Sequence, residues 1–121
     1  MSAITTHVLN TATGRPGASI AVVLEEREGD GWRFLAAGRT DSDGRLRNLL
    51  AEDHRLAVGD YRLTFDTIVY FERLATACFY PEVRIAFTVS DPGQHYHVPL
   101  LISPFGYSTY FSYRGDFWRP D

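Results

Sequence analysis

The sequence predicts an antiparallel β-sandwich of two sheets with one short helix. Three observations carry that expectation. Runs in which apolar and polar residues alternate recur roughly seven or eight times, turn signals built from Gly, Asp and Pro separate them at close spacing, and one segment alone suits a helix. The 121 residues, 45% hydrophobic and 22% charged, suit a packed globular chain. A length near this value is expected to form one domain with one core, spanning residues 1–121.

The elements follow in order. Ile4 to Asn10 alternates in character and is rich in β-branched residues, and Thr13-Gly14-Arg15-Pro16-Gly17 breaks it. Ala18 to Glu28 places Ile20, Val22 and Leu24 on one face, Glu28-Gly29-Asp30-Gly31 signals a turn, and Trp32 to Thr40 reads as the returning strand of a hairpin. Asp41-Ser42-Asp43-Gly44 is a second tight turn that delivers Arg45 to a short extended segment. Asp60 to Thr67 alternates strictly, with Tyr61, Leu63 and Phe65 on the apolar side. Ile68 to Thr76, with Val69, Tyr70 and Leu74, reads as a helix of about two turns. Glu82 to Asp91 alternates around Val83, Ile85, Phe87 and Val89, and Asp91-Pro92-Gly93 stops it. Tyr96 to Ile102 and Tyr107 to Tyr113 supply the last two strands, with Ser103-Pro104-Phe105-Gly106 between them.

Composition excludes several functions. The formal net charge is -3, with no Lys among the 12 basic residues, so no field gathers polyanions and nucleic acid is not an expected partner. A single Cys, Cys78, rules out an internal disulfide and is expected to be a small buried apolar residue. No basic segment followed by an apolar run precedes His7, and no stretch approaches the roughly 20 apolar residues that span a bilayer. A soluble cytoplasmic protein, with no membrane partner, is the expectation.

Chemistry is concentrated in the histidines. His95 and His97 are two apart, so in a strand both imidazoles share a face while Tyr96 points the other way. Taken alone, the pair reads as two polar residues on a solvated edge. With His7 it also makes a three-histidine zinc set, but no carboxylate or Cys lies nearby in sequence and the spacing alone specifies little. His54, in the polar stretch Ala51-Glu52-Asp53-His54-Arg55, reads as a surface residue.

Thr5-Thr6-His7, Asp43-Gly44-Arg45, His95-Tyr96-His97-Val98-Pro99-Leu100-Leu101 and Ser103-Pro104-Phe105-Gly106-Tyr107-Ser108-Thr109-Tyr110 together resemble the 5-hydroxyisourate hydrolases, enzymes related to the hormone carrier transthyretin. The resemblance runs from about Ile4 to Tyr110. It implies a transthyretin-like sandwich and a metal-independent, cofactor-free cyclic amidase that converts 5-hydroxyisourate to 2-oxo-4-hydroxy-4-carboxy-5-ureidoimidazoline in purine catabolism. It also implies a homotetramer, a dimer of dimers with sites at subunit interfaces. Carried over residue by residue, it names His7, Arg45 and His97 as catalytic. The chemistry of these residues agrees: imidazoles titrate near neutral pH and exchange protons with water and a leaving nitrogen, and a guanidinium fork holds a planar ring and developing negative charge. Transthyretin departs from the enzymes at these three positions, and this chain keeps the enzyme's residue at each, which argues against a carrier of a small aromatic ligand.

The resemblance breaks at the C-terminus. Family members end in Tyr-Arg-Gly-Ser after Ser-Thr, whereas here Ser108-Thr109 leads into Tyr110-Phe111-Ser112-Tyr113 and residues 111–121 form an atypical extension. Either Tyr110 keeps its place and Phe111, Ser112 and Tyr113 replace the rest, or Tyr113-Arg114-Gly115-Asp116 is a displaced copy; position favours the first. Ser108, Tyr110, Tyr113 and Arg114 are the candidate substrate-binding residues, although hydroxyl-bearing residues are common in strands and Ser108 also reads as structural. Aromatics added beside the retained His-Arg-His set would suit a more apolar cyclic substrate, the principal alternative.

Overall fold

The computed structural model describes residues 2–111, and residues 112–121, Tyr113 and Arg114 among them, lie outside the described residues. In chain order it contains β1 (Ile4–Asn10), β2 (Arg15–Pro16), β3 (Ala21–Glu28), β4 (Gly31–Arg39), β5 (Arg45–Leu46), β6 (Gly59–Phe65), α1 (Thr67–Arg73), β7 (Val83–Val89), β8 (Tyr96–Ser103) and β9 (Gly106–Thr109). Two sheets face each other, one ordered β2-β1-β8-β9 with β5 also on β1, the other ordered β4-β3-β6-β7.

The alternation along each strand decides which face meets the core. Ile20, Val22, Leu24, Leu63 and Phe65 are all fully buried, as the two-residue period requires when one face of a sheet is dry. Opposite them, β1 and β8 contribute Ile4, Val8, Leu100 and Ile102. Tyr61, Phe87 and Tyr96 continue the packing as neighbouring rings whose centroids lie 6.1 and 6.5 Å apart. Cys78 is half-buried at the margin of this cluster rather than enclosed by it.

One expectation is corrected by the pairing. The sandwich is not wholly antiparallel, because β1 and β8 run parallel in a continuous register from Ile4 opposite Tyr96 to Asn10 opposite Ile102. The pairing is held by more than its ladder: buried Thr6 donates from Oγ1 to the carbonyl of Val98 at 2.6 Å. The helix is also shorter than its sequence suggests. It ends at Arg73 because Ala75 takes a left-handed φ of 52°, which no regular helix accommodates, and Tyr70 and Phe71 turn inward while Val69 and Leu74 stay exposed. A bulge shifts the β3–β4 register between Leu24 and Glu25, leaving Leu35 without an opposite number. Among the described residues no helix is long and apolar enough to cross a membrane.

Candidate active site

The outward face of the first sheet carries the candidate residues. Along β1 the core takes Ile4, Thr6 and Val8, so Thr5 and His7 project to the other side. The same alternation along β8 buries Tyr96 and Val98 and turns His97 outward. His95, which immediately precedes β8, shares that side, because its ring and that of His97 both reach the Thr5 hydroxyl.

Two pairings bring these positions together. His7 lies directly opposite Arg45 in the antiparallel β1–β5 pair, which places their Cβ atoms roughly 5 Å apart on one face. Thr5 lies beside His97 in the parallel β1–β8 pair. With strands about 4.8 Å apart and a rise of about 3.3 Å per residue, His7 and His97 are then roughly 8 Å apart at their backbones. Three residues remote in sequence thus occupy one patch. At His97 the strand β8 is laddered to β1 through Thr5, and its pairing with β9 begins at Leu100.

The turn before β5 fixes the cation. Asp41 Oδ1 accepts from the backbone N–H groups of Asp43 at 2.8 Å and Arg45 at 2.9 Å. The Arg45 N–H is the largest cause holding the Asp41 carboxyl below its usual range, helped by the Asp43 N–H and the nearby Arg47 and Arg45 charges. Gly44 sits at φ 80°, and its carbonyl accepts from Val8 N–H at 2.8 Å. A Cβ at this glycine would stand 2.4 Å from the Val8 carbonyl oxygen, so only glycine lets the turn lie this close to β1. Arg45 is half-buried with its Nε shielded from solvent.

The contact of His7 defines which of its nitrogens carries hydrogen. His7 Nε2 is 3.0 Å from the carbonyl oxygen of Asp43. A carbonyl only accepts, so Nε2 bears the hydrogen, and a neutral His7 has its lone pair on Nδ1. His97 engages Thr5 Oγ1 through Nδ1 at 2.8 Å. Nε2 is the ring nitrogen of His97 turned away from Thr5. No group of three or more His, Cys, Asp or Glu that could hold a metal ion occurs among the described residues.

The other candidates are placed differently. Ser108 is exposed opposite Leu101, four positions along β8 from His97 and so roughly 13 Å away. Tyr110 borders a cleft of about 400 Å³ between β7 and the end of β9, whose lining includes Phe87, Tyr96 and Phe111 but not His7, Arg45 or His97. His54 is exposed. Thr5 and His95 were not singled out as site residues from sequence; the His-x-His spacing was the signal for His95, whereas Thr5 becomes visible only once β1 and β8 are paired.

Residues 4–115 match the sequence profile of Transthyretin, described as the HIUase/Transthyretin family. The chain belongs to this family. Its relatives include a 5-hydroxyisourate hydrolase of Caulobacter vibrioides, 46% identical over 114 residues and covering 91% of this chain and 97% of that one. Another from Salmonella dublin is 45% identical over 107 residues, or 88% of this chain and 78% of the relative. Among solved structures, Klebsiella pneumoniae 5-hydroxyisourate hydrolase superposes with a TM-score of 0.78 at 34% identity, covering 90% of this chain and 97% of the other. Sea bream transthyretin in complex with thyroxine superposes at 0.88 with 29% identity, covering 97% and 100%. Within the HIUase/Transthyretin family the backbone does not separate enzyme from carrier.

Proposed function

We propose that this chain hydrolyses 5-hydroxyisourate to 2-oxo-4-hydroxy-4-carboxy-5-ureidoimidazoline in purine catabolism. The supporting observation is the juxtaposition of His7, Arg45 and His97 on one sheet face, in a chain closely similar to 5-hydroxyisourate hydrolases from bacteria and from mouse.

The geometry suggests a division of labour. His7, with hydrogen fixed on Nε2 by the Asp43 carbonyl, takes a proton from water at Nδ1 as the hydroxide oxygen attacks the ring carbonyl. Arg45, held beside His7, receives the developing oxyanion on its donor fork. The carbon–nitrogen bond then breaks, and His97 delivers a proton from Nε2 to the departing ring nitrogen. All groups come from the protein and water. Tyr113 and Arg114 stay the candidate substrate-binding residues of the extension in this reading, and the family match, which continues to residue 115, includes both.

We place the enzyme in the cytoplasm as a homotetramer with the outward face of the first sheet at the subunit boundary. Phe79 and Phe105, 69% and 73% exposed, are large apolar surfaces of the kind that assembly covers.

The test is ultraviolet spectrophotometry of freshly generated 5-hydroxyisourate, with native protein and His97→Ala in parallel. Native protein should accelerate the decay, and His97→Ala should lose at least about 100-fold in kcat. Decay at the uncatalysed rate with native protein would overturn the proposal.

A further inference from the structure

Thr5 sits behind the ring that must supply the leaving group's proton. Its Oγ1 lies 2.8 Å from His97 Nδ1 and 3.0 Å from His95 Nε2, and the residue is only 3% exposed. A hydroxyl has one hydrogen to donate and two lone pairs to offer. If both imidazoles present lone pairs, one goes unserved; if both present N–H groups, the buried hydroxyl hydrogen has no acceptor in the pair. The first outcome leaves one of the two contacts without a hydrogen in it, and the second turns the hydroxyl hydrogen of a residue only 3% exposed away from both rings. The satisfied states are those in which one of the two nitrogens carries hydrogen and the other does not.

Those two states differ by a shift of hydrogens along one line. In the first, His95 Nε2–H donates to Thr5, Thr5 donates to His97 Nδ1, and neutral His97 carries its hydrogen on Nε2. In the second, His97 Nδ1–H donates to Thr5, Thr5 donates to His95 Nε2, and His97 Nε2 holds a lone pair. The first state is the one able to protonate a leaving nitrogen.

We propose that Thr5 and His95 form a proton relay that sets the hydrogen on His97 Nε2 and, as that hydrogen is spent, supplies one to Nδ1 so that the ring stays neutral. The inference rests on the hydrolase reading above. As His97 Nε2–H passes to the ring nitrogen, the Thr5 hydrogen moves to His97 Nδ1 and the Nε2 hydrogen of His95 moves to Thr5. His95 begins as the imidazolium and ends neutral, with its remaining hydrogen on Nδ1. One proton leaves His95 and one arrives on the leaving nitrogen, so charge balances; the relay resets when His97 Nε2 takes a proton from solvent, its Nδ1 hydrogen returns to Thr5 and the Thr5 hydrogen returns to His95 Nε2. Neither Thr5 nor His95 touches substrate in this scheme; both are positioning residues. Among the described residues, the charged and titratable groups facing the relay from adjoining strands are His7 on β1 and Arg45 on β5, with Arg47 just beyond, while β9 presents Ser108 on this face.

Thr5→Val removes the hydroxyl and keeps the branched shape, Thr5→Ser keeps the hydroxyl, and His95→Gln keeps hydrogen bonding without the proton cycle. Thr5→Val and His95→Gln should each lower kcat by about 10- to 100-fold with KM within about twofold, and each should alter the kcat–pH profile. Thr5→Ser should recover most of the rate, and the Thr5→Val/His95→Gln double variant should be no worse than either single change. A Thr5→Val enzyme with native kcat and pH profile would overturn the relay. If native protein fails to turn over 5-hydroxyisourate, the hydrolase reading falls, and ¹⁵N NMR of the two imidazoles decides the relay separately. One hydrogen shared between His95 Nε2 and His97 Nδ1 supports it; a hydrogen on both, or on neither, overturns it.

Discussion

Gly44→Ala probes the device that aims Arg45. Two penalties combine at this position. An L-residue at φ 80° costs about 1–2 kcal/mol. The new Cβ would also stand 2.4 Å from the Val8 carbonyl oxygen and 3.1 Å from Gly17 N, both backbone atoms that no rotamer change moves aside. Overpacking of this kind adds about 1–3 kcal/mol, so the total is roughly 2–5 kcal/mol. Gly29→Ala is the internal control, because Gly29 has a comparable φ of 59° yet nothing lies within 4 Å of its would-be Cβ. It should lose only the conformational part, about 1–2 kcal/mol. Urea unfolding followed by circular dichroism measures both variants, and at roughly 4 °C per kcal/mol the excess at Gly44 should lower Tm by about 4–12 °C beyond the control. Hydrolysis assayed below both transitions should be impaired in Gly44→Ala and native in Gly29→Ala, since only the former displaces Arg45 from His7. Equal destabilisation of the two variants would refute the close-approach argument, and an unimpaired Gly44→Ala enzyme would refute the role given to the turn.

Two further outcomes follow from the same site. Arg45→Lys keeps the charge but loses the planar fork of donors, so kcat/KM should fall about 100-fold in the steady-state assay; a loss under about threefold would remove Arg45 from oxyanion stabilisation. Asp41 has a folded-state pKa below its ordinary 3.8, so its contribution to stability is present above that value and disappears as pH drops through the lower folded value. Asp41→Asn should therefore flatten the acid side of the stability profile, read as urea midpoints between about pH 2 and 6, and an acid limb unchanged from native would contradict the assignment.

Much of the scaffold is legible one strand at a time. Tyr61, Leu63 and Phe65 alternate with polar neighbours and are buried to 2%, 0% and 0%, because a two-residue period is enforced wherever one face of a strand meets a core. Asp41-Ser42-Asp43-Gly44 announces its turn because Asp can cap backbone N–H groups and Gly accepts the left-handed conformation. The end of the helix is less legible: apolar spacing continued to Leu74, but the left-handed Ala75 stopped the element at Arg73, and local periodicity carries no warning of that.

The sequence by itself determined the alternating strands, the tight turn before Arg45 and the outward-facing His95 and His97, since each depends on neighbours within a few residues. Only the tertiary structure decided that β1 lies parallel to β8, that His7 stands opposite Arg45, and that Thr5 joins two imidazoles 90 and 92 residues further along the chain. Strand pairing across such distances is chosen by the burial of whole sheets against each other, a global free-energy balance that leaves no mark in any local stretch of residues.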